Sequence, residues 1–504
     1  MPHPTGHVVR HATSELRFPS LVSGNPDDAR LLALVHPPGW TNPKARDRYH
    51  LVVIGGGTGG LVSAAIAAGL GARVALIERA LMGGDCLNVG CVPSKALVHA
   101  ARDRTARTPA GFAAAMERMR AVRADIAPVD SAQRYRDLGV DVFIGDAAFA
   151  DAGSVAVGDA RLRFRRAIVA SGARAALPPV EDLATIEPLT NESVFGLQTL
   201  PERLTVIGGG PIGCELAQAF ARFGSRVTLV ESGERLLASD DADAARVLLD
   251  ALQRDGVDVR LGATVNRAER RGADRVLHLA DGGTIGSDEV LVATGRTPNV
   301  EGLGLERAGI GYTKRGVTVD DALQTSNPHV YAVGDVASRH QFTHAADALA
   351  RLAVPNALFF GIGGGKASSL VMPWCTYTSP EVAHVGLSVS DIARRSDVET
   401  ITVTLEHNDR ARIDDDSAGF MRIHLKRGSD RILGATLVAE RAGDMIGEIA
   451  LAITNRVGLG GIGRTIHPYP TVAAVFARAA DARRRERLTP LARRAFHAFF
   501  RLFT

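Results

Sequence analysis

Apolar and polar positions follow one pattern twice along the chain. The segments LVVIGGGTGGLVSAAIAAGLGARVALIER from Leu51 and LTVIGGGPIGCELAQAFARFGSRVTLVES from Leu204 align without a gap at an offset of 153. Each predicts an apolar strand, a Gly-rich turn, a helix and a second strand ending in an acid, Glu78 or Glu231. The first copy runs 22 residues without a charge, Leu51 to Ala72, long enough to span a bilayer. The second copy removes that reading, because Glu215 and Arg222 lie inside its helix.

The pattern at the two ends is different. Asp27 to Pro43, DDARLLALVHPPGWTNP, predicts one or two helical turns and then an extended linker, strapped onto the domain that follows. Near the C-terminus Leu491, Ala495, Ala498, Phe499 and Leu502 share a helical stripe, which Phe496, Phe500 and Phe503 broaden. Arginines occupy much of the rest. Such a basic amphipathic helix either docks on its own protein, the commoner fate, or lies on an anionic membrane surface.

The Gly-rich turns read G-x-G-x-x-G. The first glycine (Gly55, Gly208) makes the tight turn, and the second (Gly57, Gly210) admits a pyrophosphate to the backbone. The third (Gly60, Gly213) lets helix and strand pack closely. Glu78 and Glu231 stand where a carboxylate accepts hydrogen bonds from a ribose. Two copies with the acid in register predict two dinucleotide-binding βαβ units. A carboxylate at Glu231 favours a free 2′-hydroxyl over a 2′-phosphate, so NAD(H) is expected over NADP(H) there, with Arg226 and Arg235 near enough in sequence to soften the preference.

Composition adds bounds. With 504 residues the chain suggests about three domains, and its 46% hydrophobic and 23% charged content is that of a globular protein. The first 47 residues contain no apolar secretory core, and four cysteines do not make a disulfide scaffold, so the cytoplasm is expected. From Ala482 to Thr504 the net charge is +6 against +4 for the whole chain, which leaves the remainder at −2. No general nucleic-acid surface is indicated.

Two of the four cysteines, Cys86 and Cys91, fall in GGDCLNVGCVPSK, just beyond Glu78. In an ideal helix positions i and i+5 lie about 7.5 Å apart along the axis, so a bridge needs a distorted helix start, which Gly90 and Pro93 could provide. A cysteine near a helix N-terminus has its thiolate stabilised, which suits redox work. A zinc half-site or two inert core cysteines are the alternatives; zinc lacks a second ligand pair, since Cys214 and Cys375 stand alone.

At these residues the sequence resembles the flavin-dependent pyridine nucleotide–disulfide oxidoreductases, which include lipoamide dehydrogenase, glutathione reductase and mercuric reductase. GGDCLNVGCVPSK looks like their redox-disulfide motif. VATGRTPN (Val292 to Asn299), TSNPHVYAVGDV (Thr325 to Val336) and YTSPEVAHVGLS (Tyr377 to Ser388) look like their later motifs, and the likeness runs from about Tyr49 to about Ala480. The resemblance implies FAD on the first unit and NAD(P)H on the second. It implies Asp335 at the ribityl–phosphate end of the flavin, and further FAD contacts at Gly84, Lys95, Gly172, Gly295, His344 and Ala345. The His344 side chain is expected to pack rather than react. It also implies Cys91 as the flavin-side thiol, Cys86 as the thiol that exchanges with substrate, and Lys95 with Glu215 beside the reactive edge of the flavin. Electrons would pass from NADH through FAD to the cysteine pair and on to an acceptor.

The resemblance breaks near the C-terminus. Members acting on organic disulfides carry a histidine and, five positions on, a glutamate; here those positions are Tyr469 and Ala474. His467 could carry the proton only if its loop were re-routed. A tyrosine there is similar to mercuric reductase, yet that enzyme's C-terminal cysteine pair and its N-terminal metal-binding C-x-x-C module are absent. Asp85 replaces the family's usual threonine, and its charge is expected to raise the neighbouring thiol's pKa.

The expected fold is α/β: two Rossmann-type dinucleotide-binding domains and an α+β C-terminal dimerisation domain. The expected parts are an N-terminal extension (1–47), an FAD domain (48–175 and 296–366), an NAD(P)H domain (176–295), a dimerisation domain (367–480) and a basic tail (481–504). A homodimer follows if Tyr469 serves a neighbouring subunit's Cys86. The expected function is an NADH-dependent reductase, mercuric reductase-like, with no resident metal. A small disulfide, a thiol-bound metal, a quinone or oxygen remains open as acceptor. Dihydrolipoyl dehydrogenase and a non-turnover redox sensor are the alternatives.

Overall fold

The computed structural model describes residues 18–359, 361–486 and 488–502. Phe503 of the tail stripe and the first 17 residues of the extension lie outside the described residues. Two compact units form. One takes the chain up to Leu177 with Glu187–Pro201 and Gly295–Ala367; the other takes Pro178–Ile186, Glu202–Thr294 and the chain from Ser368.

The first unit is built on a seven-stranded sheet. Its parallel part runs Val140–Ile144, Val74–Glu78, Tyr49–Ile54 and Ala160–Val169, with Val330–Ala332 beside the last. Strands buried on both faces explain why Leu51–Ile54 and Val74–Ile77 read as continuous apolar runs rather than alternating ones.

The helix of the extension is longer than its sequence suggested. Pro26–Val35 is a full helix, capped by the Asn25 side chain on the Asp27 and Asp28 N–H groups. It packs as a strap. Beyond it the indole of Trp40 donates to the Val142 carbonyl, and Asn42 exchanges two hydrogen bonds with Ile144. These contacts cover the exposed edge of a sheet that would otherwise offer unpaired backbone.

Beneath the strap, Arg123 is wholly buried. It donates to Asp28 at 2.6 Å, to the Ser20 carbonyl at 3.2 Å and to the Asn88 carbonyl at 2.9 Å. Asn88 ends the short helix that carries Cys86, so one guanidinium ties the extension to the cysteine segment. Removing its counter-charge by Asp28→Ala is expected to cost about 3–5 kcal/mol. Thermal unfolding would check this, and an unchanged melting temperature would show the strap to be dispensable.

The second unit contains the repeat. A parallel sheet runs Asp258–Arg260, Arg226–Val230, Arg203–Ile207 and Glu289–Val292. Its register repeats that of the first unit: Leu51 faces Val74 and Leu204 faces Val227, both pairs displaced by 153. An antiparallel five-stranded sheet follows, in the order Pro373–Thr376, Glu381–Gly386, Ile432–Ala439, Phe420–Lys426 and Val398–Thr404. Helices Ala442–Thr454 and Ala474–Glu486 close its apolar face.

Candidate active site: two nucleotide cradles and a cysteine pair

Both Gly-rich turns adopt one geometry. Gly55 and Gly208 have φ of 108° and 112°, the left-handed side that side chains avoid. A Cβ on Gly60 would stand 1.8 Å from the Gly55 carbonyl oxygen, and one on Gly213 1.9 Å from that of Gly208. Those two glycines serve the chain's own packing. Gly57 and Gly210 differ, with φ of −82° and −77°. A Cβ on Gly57 would meet only the Gly84 Cα, at 3.7 Å, and one on Gly210 nothing within 4 Å. The protein itself does not need glycine there. A group approaching the helix N-terminus does, which is the fit expected of a dinucleotide pyrophosphate.

The two acids are held alike. Glu78 accepts the Gly56 and Ala80 N–H groups, each at 2.6 Å, and Glu231 accepts those of Gly209 and Gly233, also at 2.6 Å. Burial pushes the Glu78 carboxyl up, an effect that the two N–H groups offset. Each carboxylate is aimed by backbone and keeps lone pairs for ribose hydroxyls. The arginines that could have softened the charge at Glu231 are engaged elsewhere. Arg235 donates to the Ala238 and Asp240 carbonyls, and Arg226 pairs with Glu202.

The cysteines lie on two helices rather than on one distorted helix. Gly83 and Gly84, both left-handed, start the short helix Gly84–Asn88. The chain breaks at Val89–Gly90, and Cys91 begins Cys91–Ala100. A Cβ on Gly90 would stand 2.7 Å from the Asp85 carbonyl, so this crossing needs glycine. Pro93 fits in the first turn, where its missing N–H costs nothing. Cys86 is half-buried and Cys91 exposed. A hydrogen bond with Cys91 and burial push the Cys86 thiol up strongly. The Thr343 hydroxyl lies 3.2 Å from the Cys91 sulfur and opposes the rise at Cys86.

Asp85 is not among the leading causes of that rise, which are the Cys91 hydrogen bond and burial. Its carboxylate pairs with Arg296, which also donates to Asp335 at 3.2 Å and to the Ala173 carbonyl at 2.8 Å. One guanidinium between two carboxylates offsets the charge that departs from the family pattern. Burial pushes the Asp335 carboxyl up, and Arg296 counters it.

Gly172 and Gly295 are left-handed, at 68° and 122°. His344 stacks on Phe342 at 5.4 Å, and Ala345 is buried in Thr343–Leu358. Lys95, half-buried, lies one turn after Cys91 on the same helical face. Glu215, in the other unit, is buried and accepts the Tyr377 N–H at 2.9 Å.

His467 is turned into the protein rather than toward solvent. Its side chain is 8% exposed, its Nε2 faces Glu448 at 3.1 Å and its ring packs near Phe476. The loop is not re-routed, and the imidazole turns inward. Tyr469 is 79% exposed, and its hydroxyl donates to Asp409 at 3.2 Å, which raises the phenol's pKa. Ala474 opens its helix and offers no carboxylate.

Sequence reasoning passed over Thr343 and Arg296. Arg296 stood within VATGRTPN, and Thr343 directly precedes His344. What was missing was the partner, 252 and 211 residues away in the chain.

Comparison with known proteins agrees with this geometry. The model of the pyridine nucleotide-disulphide oxidoreductases matches residues 49–350, and that of their dimerisation domain matches 372–480. The chain is 35% identical over 447 residues to a mercuric reductase of Lysinibacillus sphaericus, covering 85% of this chain and 81% of that protein. It is 34% identical over 444 residues to a glutathione reductase of Burkholderia cepacia, covering 85% and 97%. The solved structure of the HOCl-induced flavoprotein disulfide reductase RclA from Escherichia coli superposes with a TM-score of 0.79 at 28% identity, over 86% of this chain and 99% of that one. A Cu(II) complex of the same reductase superposes with a TM-score of 0.79 over 85% and 98%. With two nucleotide cradles, a cysteine pair between helices and a dimerisation domain in one chain, this protein is a member of the pyridine nucleotide-disulphide oxidoreductase family and an NAD(P)H-dependent flavoprotein oxidoreductase.

Proposed function

We propose that the chain is an NADH-dependent, FAD-containing homodimer of the cytoplasm that reduces a soft metal ion captured by the thiolates of Cys86 and Cys91. The observation that carries the reading is the fate of the acid–base positions. Tyr469 and Ala474 stand where a histidine and a glutamate would serve an organic disulfide, and His467 is turned in on Glu448. Cleaving an organic disulfide releases a thiolate that must be protonated, a task for a placed acid. Reducing a metal ion releases no such group. Soft thiolates select soft ions, and among the described residues no three His, Cys, Asp or Glu side chains gather into another metal site.

Each residue then has a task. Gly55, Gly57, Gly60, Gly84 and Glu78 hold the FAD pyrophosphate and ribose, while Asp335, Gly172, Gly295, His344 and Ala345 line the remainder. When bound, FAD takes two electrons as hydride from the nicotinamide and hands them on as a pair. Gly208, Gly210, Gly213 and Glu231 hold NADH. The Thr343 hydroxyl steadies the Cys91 sulfur, and Lys95, one turn after Cys91, adds a positive charge on the same helix. Cys86, half-buried, and Tyr469 of the partner subunit receive the ion. For Hg²⁺ the balance is one NADH oxidised to NAD⁺ and a proton, with two electrons reducing the ion to Hg⁰.

Anaerobic NADH oxidation by the flavin-loaded protein tests this, with thiol-buffered Hg²⁺, lipoamide and glutathione disulfide as acceptors. We expect kcat/KM for the metal to exceed that for either disulfide by roughly a hundredfold, the scale of a missing general acid. NADPH should serve about tenfold worse than NADH. Equal or faster disulfide turnover would overturn the acceptor, and a preference for NADPH would overturn the role of Glu231.

A further inference from the structure

The last helix, Pro490–Arg501, is not absorbed by any of this chemistry. It begins cleanly, with the Thr489 hydroxyl accepting the Ala492 N–H at 3.2 Å and Pro490 in the first turn, yet it buries no residue. Leu491 and Leu502 are 75% and 80% exposed, and Phe496, Phe499 and Phe500 lie between 52% and 62%.

At about 100° per residue the apolar side chains cover more than half the circumference. The remaining arc holds Arg493, His497, Arg501 and Arg494, and no acid occurs from Arg487 onward. Twelve residues make a helix about 18 Å long, too short to cross a hydrocarbon core of about 30 Å.

The charge pattern selects the occupant. Were the apolar face docked on protein, the outer face would lie in water, with Arg493, His497 and Arg501 spaced at i, i+4 and no carboxylate on the helix to offset them. Pairing through the apolar face with the tail of a second copy would likewise leave both cationic faces in water, with no carboxylate on either helix to offset them. Anionic headgroups reverse the sign of both terms, and the acyl boundary accepts the phenylalanines and leucines.

We propose that Pro490–Arg501 lies in the interface of an anionic lipid bilayer, with its apolar arc inserted and Arg493, Arg494 and Arg501 at the headgroups. This surface is independent of the acceptor, so the enzyme would work at a membrane surface whichever acceptor it reduces.

The test uses the full-length flavin-loaded protein and sedimentation with vesicles of phosphatidylcholine, alone or with 30% phosphatidylglycerol. We expect at least tenfold more protein on the anionic vesicles, and a tenfold loss in the triple variant Phe496→Ser, Phe499→Ser, Phe500→Ser. Arg493→Glu with Arg494→Glu should also lose the preference for anionic lipid. NADH oxidation with a soluble acceptor should not change in either variant, which separates this proposal from the acceptor reading. Equal sedimentation with both vesicles, or none, would overturn it. So would assembly beyond a dimer in vesicle-free buffer that the phenylalanine substitutions abolish, because the face would then belong to a second copy.

Discussion

Anaerobic titration with NADH is expected to consume two equivalents per subunit in the wild-type protein and one in Cys86→Ser or Cys91→Ser. The oxidised pair takes two electrons and FAD takes two, so removing either thiol halves the capacity while leaving flavin bound. Turnover of the physiological acceptor should fall by about 10³-fold or more in both variants, because two residues that act as one unit fail together. Reduction of an artificial dye that draws electrons from the flavin should persist. The structure supports treating the thiols as one unit. The Cys86 thiol is pushed up chiefly by its hydrogen bond with Cys91, and Thr343 contacts the same pair. Two equivalents in a single-cysteine variant would place the second electron sink elsewhere. Unimpaired turnover would mean that the acceptor bypasses the pair.

The second large effect separates two glycines three residues apart. Gly60→Ala forces a Cβ to 1.8 Å from the Gly55 carbonyl oxygen, which is backbone and has nowhere to go. The helix would have to lift from its strand, at a cost of about 3 kcal/mol or more. Melting temperature should drop and flavin should be lost with the fold. Gly57→Ala meets nothing nearer than 3.7 Å and keeps an ordinary φ, so the stripped protein should melt as the wild type does. Its flavin should nevertheless be lost, by at least a hundredfold in FAD affinity, since the methyl group fills the approach to the helix N-terminus. Flavin absorbance after gel filtration and the melting curve of stripped protein together decide it. Retained FAD in Gly57→Ala would contradict the cradle as drawn.

Much of this was legible beforehand for one reason. A dinucleotide cradle is local: strand, turn, helix and acid fall within about 30 residues, so spacing alone carries the geometry. The 153-residue offset therefore reappears unchanged as β-register, and Glu78 and Glu231 repeat the same pair of backbone hydrogen bonds. The departure at 469 and 474 was equally plain, because an alanine at 474 cannot be a carboxylate in any fold.

The misreadings share a cause too. Asp85 read alone is a negative charge beside a thiol; in the fold it is half of a pair with Arg296, which lies 211 positions away. Residues 187–201, read as part of the NAD(P)H domain, pack with the first unit, where Asn191 donates to the Val89 carbonyl. The strap read as a turn or two, since nothing local reveals that Asp28 has a buried arginine to meet.

Local sequence thus specified the two Gly-rich turns with their acids, the cysteine pair and the tyrosine and alanine at 469 and 474, because each depends on residue identity at short spacing. Only the tertiary structure decided which charges are neutralised, which hydroxyl faces the thiols and where His467 points. Those outcomes depend on groups that meet through space, and electrostatic and hydrogen-bond energies follow distance in the fold rather than distance along the chain.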